Sequence, residues 1–224
     1  MNKLVSLHNE NSYGISYQMF YPDKYEDNPL IVFLHGAGER GTDISHVDRW
    51  ALPRLLKSGL KIPAVILCPQ CPVEYTWDNI VKELKALIDE VVEKFQIKKD
   101  RILITGASMG GFGTWSMGIN YPTFFAGIAP VAGGGMSWRA SNLISTPVYA
   151  VHGEKDGTVP VIYSQLMVDG VKACGGKVEF ISLAGMDHGD GIEYAYEHTQ
   201  LIEWLLKQRR KDFSAVAEAC SEYF

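Results

Sequence analysis

Residues 101–117 place the strictest condition on the fold. An apolar run, Arg101-Ile102-Leu103-Ile104-Thr105, leads into Gly106-Ala107-Ser108-Met109-Gly110, and Gly111-Phe112-Gly113-Thr114-Trp115-Ser116-Met117 continues as a helix start. A buried strand that turns straight into a helix across G-x-S-x-G needs small residues on both sides of the turn. Gly106 and Gly110 supply them. The serine between them is then held in a strained backbone conformation, with its Oγ at the positive end of the helix. Ser108 is thus a candidate nucleophile. Read in isolation, the same pentapeptide is a glycine-rich turn whose serine caps the helix.

The rest of the chain alternates strand and helix patterns. Leu30-Ile31-Val32-Phe33-Leu34 and Ala64-Val65-Ile66-Leu67 are continuous apolar runs, as expected of parallel strands covered on both faces. Residues 13–21 alternate polar and apolar like antiparallel edge strands. Ile80, Leu84, Leu87, Ile88, Val91 and Phe95 form a helical stripe over residues 79–95. Further strands are predicted at 125–131, 147–151 and 178–183, and further helices at 159–173 and 192–208, with Gly133-Gly134-Gly135 as a flexible link. This order implies an α/β fold: a mainly parallel, doubly wound sheet with N-terminal antiparallel strands and right-handed crossovers. At 224 residues the chain suits a single domain, residues 1–224, with no insertion long enough for a large lid. In such sheets the ligand site lies beyond the carboxyl ends of the strands.

A serine hydroxyl needs a base within reach and an acceptor to orient that base. Among six histidines, His188 sits in Ala184-Gly185-Met186-Asp187-His188-Gly189-Asp190, a loop of small residues between the last strand and the last helix. It is the candidate base. His35 and His152 each end a strand before a glycine. The candidate acid is Asp156, since Gly157 suits a turn that folds the carboxylate inward; Glu154, Asp169 and Asp187 are the other carboxylates nearby. An oxyanion would need preorganised N–H donors. Met109 at the helix start is one, and Ala37 in His35-Gly36-Ala37-Gly38-Glu39-Arg40-Gly41 is the other, with Gly38 as the alternative. Glu39, Arg40 and Trp77 are candidates for the pocket rim. Trp77 reads equally as a helix-start residue packed on the sheet, and Arg40 as a surface ion pair.

A formal net charge of -5, with only the short basic clusters Lys98-Lys99 and Arg209-Arg210-Lys211, argues against nucleic acid and against an anionic membrane as partner. No apolar run reaches the ~18 residues of a membrane span, and no leader-like apolar stretch opens the chain, so a cytoplasmic location is expected. Cys68-Pro69-Gln70-Cys71 has C-x-x-C spacing. It lacks a second pair or matching histidines and lies among prolines, so a structural role is expected and no metal. No cofactor is implied, and the oligomeric state is open. The segment 212–224, with Phe213, Val216, Tyr223 and Phe224, reads as a piece that docks on the domain or on a partner.

The order Ser108, Asp156, His188, together with Leu34-His35-Gly36-Ala37-Gly38-Glu39-Arg40-Gly41, resembles bacterial esterases of the α/β-hydrolase superfamily. The 106–115 segment is similar to that of predicted peptidases and carbohydrate-esterase-like proteins related to feruloyl and acetylxylan esterases. Tyr121-Pro122, Gly133-Gly134-Gly135 and His152-Gly153 with Asp156 and Val159-Pro160 fit the same pattern, and the likeness runs from about Leu30 to Leu206. The fold also resembles dienelactone hydrolases, whose nucleophile is cysteine where this chain has Ser108. Feruloyl-type relatives often carry tryptophan after the histidine; here Gly189-Asp190-Gly191 follows. The resemblance implies a cofactor-free serine hydrolase acting on short-chain or carbohydrate-linked carboxylic esters through an acyl-enzyme. A small peptidase of the prolyl-oligopeptidase kind and a catalytically idle binding fold are the alternatives.

Overall fold

The computed structural model describes residues 3–7, 13–25 and 27–210. The segment 212–224 lies outside these residues. The strands are β1 (Lys3–Leu7), β2 (Tyr17–Tyr21), β3 (Leu30–Leu34), β4 (Val65–Pro69), β5 (Ile102–Ala107), β6 (Gly127–Val131), β7 (Val148–Gly153) and β8 (Val178–Leu183). They form one eight-stranded sheet in the order β1-β2-β4-β3-β5-β6-β7-β8. The pairs β1–β2 and β2–β4 are antiparallel and the rest parallel. This is the α/β-hydrolase arrangement, with the antiparallel strands at the N-terminal edge.

The helices are α1 (Ala51–Lys57), α2 (Val81–Lys94), α3 (Met109–Asn120), α4 (Ile162–Ala173), α5 (His188–His198) and α6 (Leu201–Lys207). Because side chains alternate along a strand, each central strand feeds two cores. On β3, Leu30, Val32 and Leu34 join a cluster with Leu84, Leu87 and Ile88 of α2, Trp115 of α3 and Met167 and Val168 of α4. Ile31 and Phe33 point the other way, into a cluster with Leu52 of α1, Ile192 and Tyr196 of α5 and Leu201 of α6. All five β3 residues are buried, which is why that strand has no polar alternation.

The last helical segment is not the single 192–208 helix expected from periodicity. Asp187 Oδ1 accepts the Asp190 N–H at 3.0 Å, so α5 begins at His188. The chain then breaks at Thr199, which is extended, and its hydroxyl bonds Ala195 O while accepting the Leu201 N–H. The triglycine is likewise packed rather than a loose link. A Cβ on Gly133 would lie 2.5 Å from Gly111 C, and one on Gly134 2.7 Å from Tyr163 Cβ.

The tightest contact lies at the elbow. A Cβ on Gly110 would fall 1.9 Å from Leu34 O and 2.8 Å from His35 O, both backbone atoms that cannot swing aside. One on Gly106 would lie 2.5 Å from Gly110 O. Gly110→Ala is expected to cost at least ~3 kcal/mol or prevent folding. Gly38→Ala, where a Cβ meets nothing within 4 Å, should change urea-unfolding stability by less than about 0.5 kcal/mol.

Candidate active site

Ser108 stands between β5 and α3 with φ 57° and ψ -119°. Left-handed φ is strained for a residue with a Cβ. It persists because both sides of the turn are tied down: Ser108 N–H donates to Val131 O at 3.0 Å, and Ser108 O accepts the Phe112 N–H at 3.1 Å. The side chain is turned away from the helix and makes no capping bond. Its Oγ lies 2.9 Å from Nε2 of His188. Nδ1 of His188 lies 2.6 Å from Oδ2 of Asp156.

Asp156 is 6% exposed and lies just beyond β7. Its Oδ1 accepts the N–H groups of Thr158 at 2.9 Å and Val159 at 2.7 Å, so the turn that follows holds the carboxylate rather than a helix start. The other carboxylates are engaged elsewhere. Glu154 accepts from Ser182, Asp169 from Gln165 and Asp187 caps α5.

The loop after β3 passes beside Ser108, and a Cβ on Gly36 would lie 3.7 Å from Ser108 Cβ. Ala37 opens a short 3-10 turn, Ala37–Glu39, so its N–H has no partner inside the turn. Met109 N–H is likewise the first of α3. His35, which sequence reasoning left as a strand-end histidine, organises this loop. Its Nε2 accepts the Cys71 N–H at 2.9 Å, which leaves the ring proton on Nδ1, 2.6 Å from Gly36 O. The Gly36–Ala37 peptide is planar, so fixing its carbonyl also fixes the direction of the Ala37 N–H.

Two of the expected rim residues are not in the rim. Trp77 is fully buried, with Nε1 donating to His35 O at 3.0 Å and its ring 5.0 Å from that of His35. An indole there has to pack and find an acceptor, and it props the loop from below. Arg40 spends its guanidinium on the backbone carbonyls of Ala37, Val73 and Tyr75. Glu39 does face the site, and burial raises its carboxyl above the usual range while the Gly36 and Glu39 amides draw it back.

Two cavities flank Ser108. One of about 320 Å³ is mostly apolar, lined by Phe33, Val47, Trp50, Ala51 and Ile192, with His188 and Glu39 at its mouth. The other, about 510 Å³, is lined by Thr76, Asp78, Phe112, Ser116, Met136 and Tyr163. Trp50 is 54% exposed, so nothing in the core pattern marked it as a wall residue. Arg54 ties α1 to α5 through Glu193 and Glu197, and Glu193 also accepts the Ala51 N–H at 3.0 Å. Among the described residues no group of three or more His, Cys, Asp or Glu side chains is placed to hold a metal. Cys68 and Cys71 point into opposite cores, and burial pushes the Cys71 thiol up to about 12. No helix of the described residues is long and apolar enough to cross a membrane.

Residues 67–202 match the phospholipase/carboxylesterase family model. The chain belongs to the phospholipase/carboxylesterase family. Among solved structures it is similar to a thermostable esterase, with 32% identity, a TM-score of 0.79, and coverage of 93% of this chain and 63% of that one. A feruloyl esterase module from Clostridium thermocellum, complexed with sinapinate, superposes with a TM-score of 0.73 at 17% identity, covering 94% of this chain and 90% of that one, and shows the fold alone. Poly(3-hydroxyalkanoate) depolymerase C of Paucimonas lemoignei is 41% identical over 51 residues, 23% of this chain and 12% of its own. The chain thus spans less than two thirds of the thermostable esterase and a small part of the depolymerase.

His35 gives the site a pH signature in stability. Burial holds its imidazole down to about 4, whereas the unfolded chain titrates near ~6.5. Between those values the unfolded state binds more protons, so stability falls as pH falls. Burial lowers His152 in the same direction, while Glu39, held high, works the opposite way. Urea unfolding should show a loss on the order of 2 kcal/mol between pH 7 and pH 5. Trp77→Phe, which removes the bond to His35 O and part of the buried ring volume, should cost ~1–3 kcal/mol or more and leave the KM for a good ester substrate within about twofold.

Proposed function

We propose that the protein is a carboxylic ester hydrolase that works through an acyl-enzyme on Ser108. The observation that carries this reading is the unbroken chain Ser108 Oγ, His188 Nε2, His188 Nδ1, Asp156 Oδ2, with contacts of 2.9 and 2.6 Å. As the Ser108 oxygen bonds to the ester carbonyl carbon, its proton passes to His188 Nε2. Asp156 holds the ring in the tautomer that can accept that proton and stabilises the imidazolium. The carbonyl π electrons move onto oxygen, where the N–H groups of Ala37 and Met109 receive the charge. The intermediate collapses, the bond to the alcohol oxygen breaks, and His188 returns the proton to that oxygen. Water then repeats the sequence, releasing the acid and restoring Ser108. Neither a metal nor an organic cofactor is required.

The substrate class we propose is small: short-chain acyl esters or acyl groups linked to carbohydrate. Cavities of about 320 and 510 Å³ on either side of Ser108 suit one modest acyl or alcohol group each. The Thr76, Asp78, Ser116 and Tyr163 groups of the larger one offer partners to hydroxyls. The family membership lends support to an ester substrate. Because proton return needs His188, which lines the smaller cavity, the alcohol is placed on that side and the acyl group on the other.

Assayed on p-nitrophenyl esters from acetate to octanoate, with methyl ferulate and acetylated xylan alongside, the protein should turn over the short or sugar-linked esters. Ser108→Ala and His188→Ala should each lower kcat by ~10⁴-fold or more, with a comparable loss for Asp156→Asn. Ester turnover undiminished in Ser108→Ala would overturn the mechanism.

A further inference from the structure

Asp156 Oδ2 faces two imidazoles, not one. His188 Nδ1 lies 2.6 Å away, and Nε2 of His152 lies 3.3 Å away. His152 occupies β7, is 1% exposed, and takes no part in the proton transfers above. Its Nε2 also lies 2.8 Å from Val159 O. A carbonyl and a carboxylate oxygen only accept, so Nε2 carries a proton; it is hydrogen-bonded to Val159 O and also faces Asp156 Oδ2. On the other side of the ring, Nδ1 lies 2.7 Å from Ser164 Oγ, itself 2.7 Å from Gly133 O. A hydroxyl has one proton to give. A neutral His152 takes it on Nδ1, and a cationic one would leave it to Gly133 O. Burial disfavours the cation more than Asp156 and the Val159 carbonyl favour it. The titratable groups facing the ring are Asp156 and, beyond it, His188; Ser164, Val159 and Gly133 present only a hydroxyl and carbonyls.

We propose that His152 is a positioning residue for the reaction: donating from Nε2 to Asp156 Oδ2, it steadies that oxygen against His188 and tempers its pull on the His188 imidazolium. The inference rests on the Ser108–His188–Asp156 reading. A donor on a carboxylate oxygen spreads the negative charge, so the neighbouring imidazole is less easily protonated than it would be beside a bare carboxylate. With Oδ1 held by two amides and Oδ2 by two rings, the carboxylate also has no free rotation.

The test compares His152→Leu, which removes the donor, with His152→Gln, whose amide nitrogen can reach the same oxygen. Rates are taken per active site counted by fluorophosphonate labelling. In His152→Leu the acid limb of kcat/KM should move to higher pH by about half a unit to one unit. The value of kcat should fall about tenfold, with KM within about twofold. His152→Gln should bring the acid limb back to within about 0.2 unit of the wild-type position. A merely structural histidine would lower the number of labelled sites and the unfolding stability but leave the limb where it is. Long-range ¹H–¹⁵N spectra of the wild-type protein provide a second reading that does not depend on any variant folding: the His152 ring should carry its proton on Nε2. A proton on Nδ1 alone, or an unmoved limb in His152→Leu with turnover still dependent on Ser108, overturns this proposal and leaves the triad reading intact. Turnover that survives Ser108→Ala overturns both.

Discussion

Everything at the site depends on how closely β3 approaches the start of α3. Leu34 O occupies space that a side chain on Gly110 would need, and Gly106 closes on Gly110 from the other side. This approach brings the loop after β3 up against the turn after β5, so that Gly36 and Ser108 nearly touch. The two elements are far apart in sequence, and only this close approach of β3 to α3 sets them side by side. The strain in Ser108 is part of the same contact. Its positive φ turns the side chain off the helix axis, and the hydrogen bonds from Ser108 N–H to Val131 O and to Ser108 O from Phe112 keep it there. The free energy for holding one residue in a region that costs of order 1–3 kcal/mol comes from the packed sheet around it.

A second condition is electrostatic. A carboxylate withdrawn from water is costly unless donors replace the solvent. Asp156 is given two amides on one oxygen and two imidazoles on the other. Such a group has little freedom to turn, and in the mechanism proposed above this means the acceptor for His188 is oriented before a substrate arrives. The loop on the other side of Ser108 follows the same logic. His35, Trp77 and Arg40 spend polar groups on backbone carbonyls of that loop, and the Cys71 N–H in turn holds the His35 ring. Here the loop is ordered by the buried His35 and Trp77 and the half-buried Arg40, each bonded to its backbone.

This explains what could be read in advance. Continuous apolar runs reveal central parallel strands because both faces are covered, and β3, β4 and β5 lie on the runs that predicted them. Ser108, Asp156 and His188 were legible as a set because each lies shortly after the carboxyl end of a strand, and the structure brings the three side chains together. The sequence was silent where a role is set by a partner distant in the chain. Trp77 reads equally as a rim residue and as one packed on the sheet because an aromatic at a helix start is compatible with either environment; the carbonyl of His35 and its full burial decide. Arg40 carries a charge that sequence assigns to solvent or substrate, yet backbone carbonyls at Val73 and Tyr75 take it. The break at Thr199 was invisible to periodicity because apolar spacing continues through it, and a single hydroxyl makes the change. Trp50, exposed and outside any apolar stripe, gave no signal at all.

The division of labour has a consequence for how such a site changes. Of the groups that surround the serine, the loop after β3 and Asp156 after β7 are held by bonds to backbone atoms, whereas His188 stands at the start of α5. The wall of the smaller cavity comes from residues 47–51 and from Ile192. That wall is joined to α5 by Arg54 with Glu193 and Glu197, and by the Ala51 N–H on Glu193. Since α5 begins at His188 itself, movement of the wall is transmitted to the histidine through one short helix. Substitutions at Trp50 or Val47 alter the volume beside Ser108 without touching that link. Substitutions at Arg54 or Glu193 alter both, and shape cannot then be changed independently of the position of the imidazole. The larger cavity is walled by α3, α4, the packed triglycine and Val159, whose N–H holds Asp156 Oδ1, so on that side shape is joined to the site through the carboxylate rather than through α5.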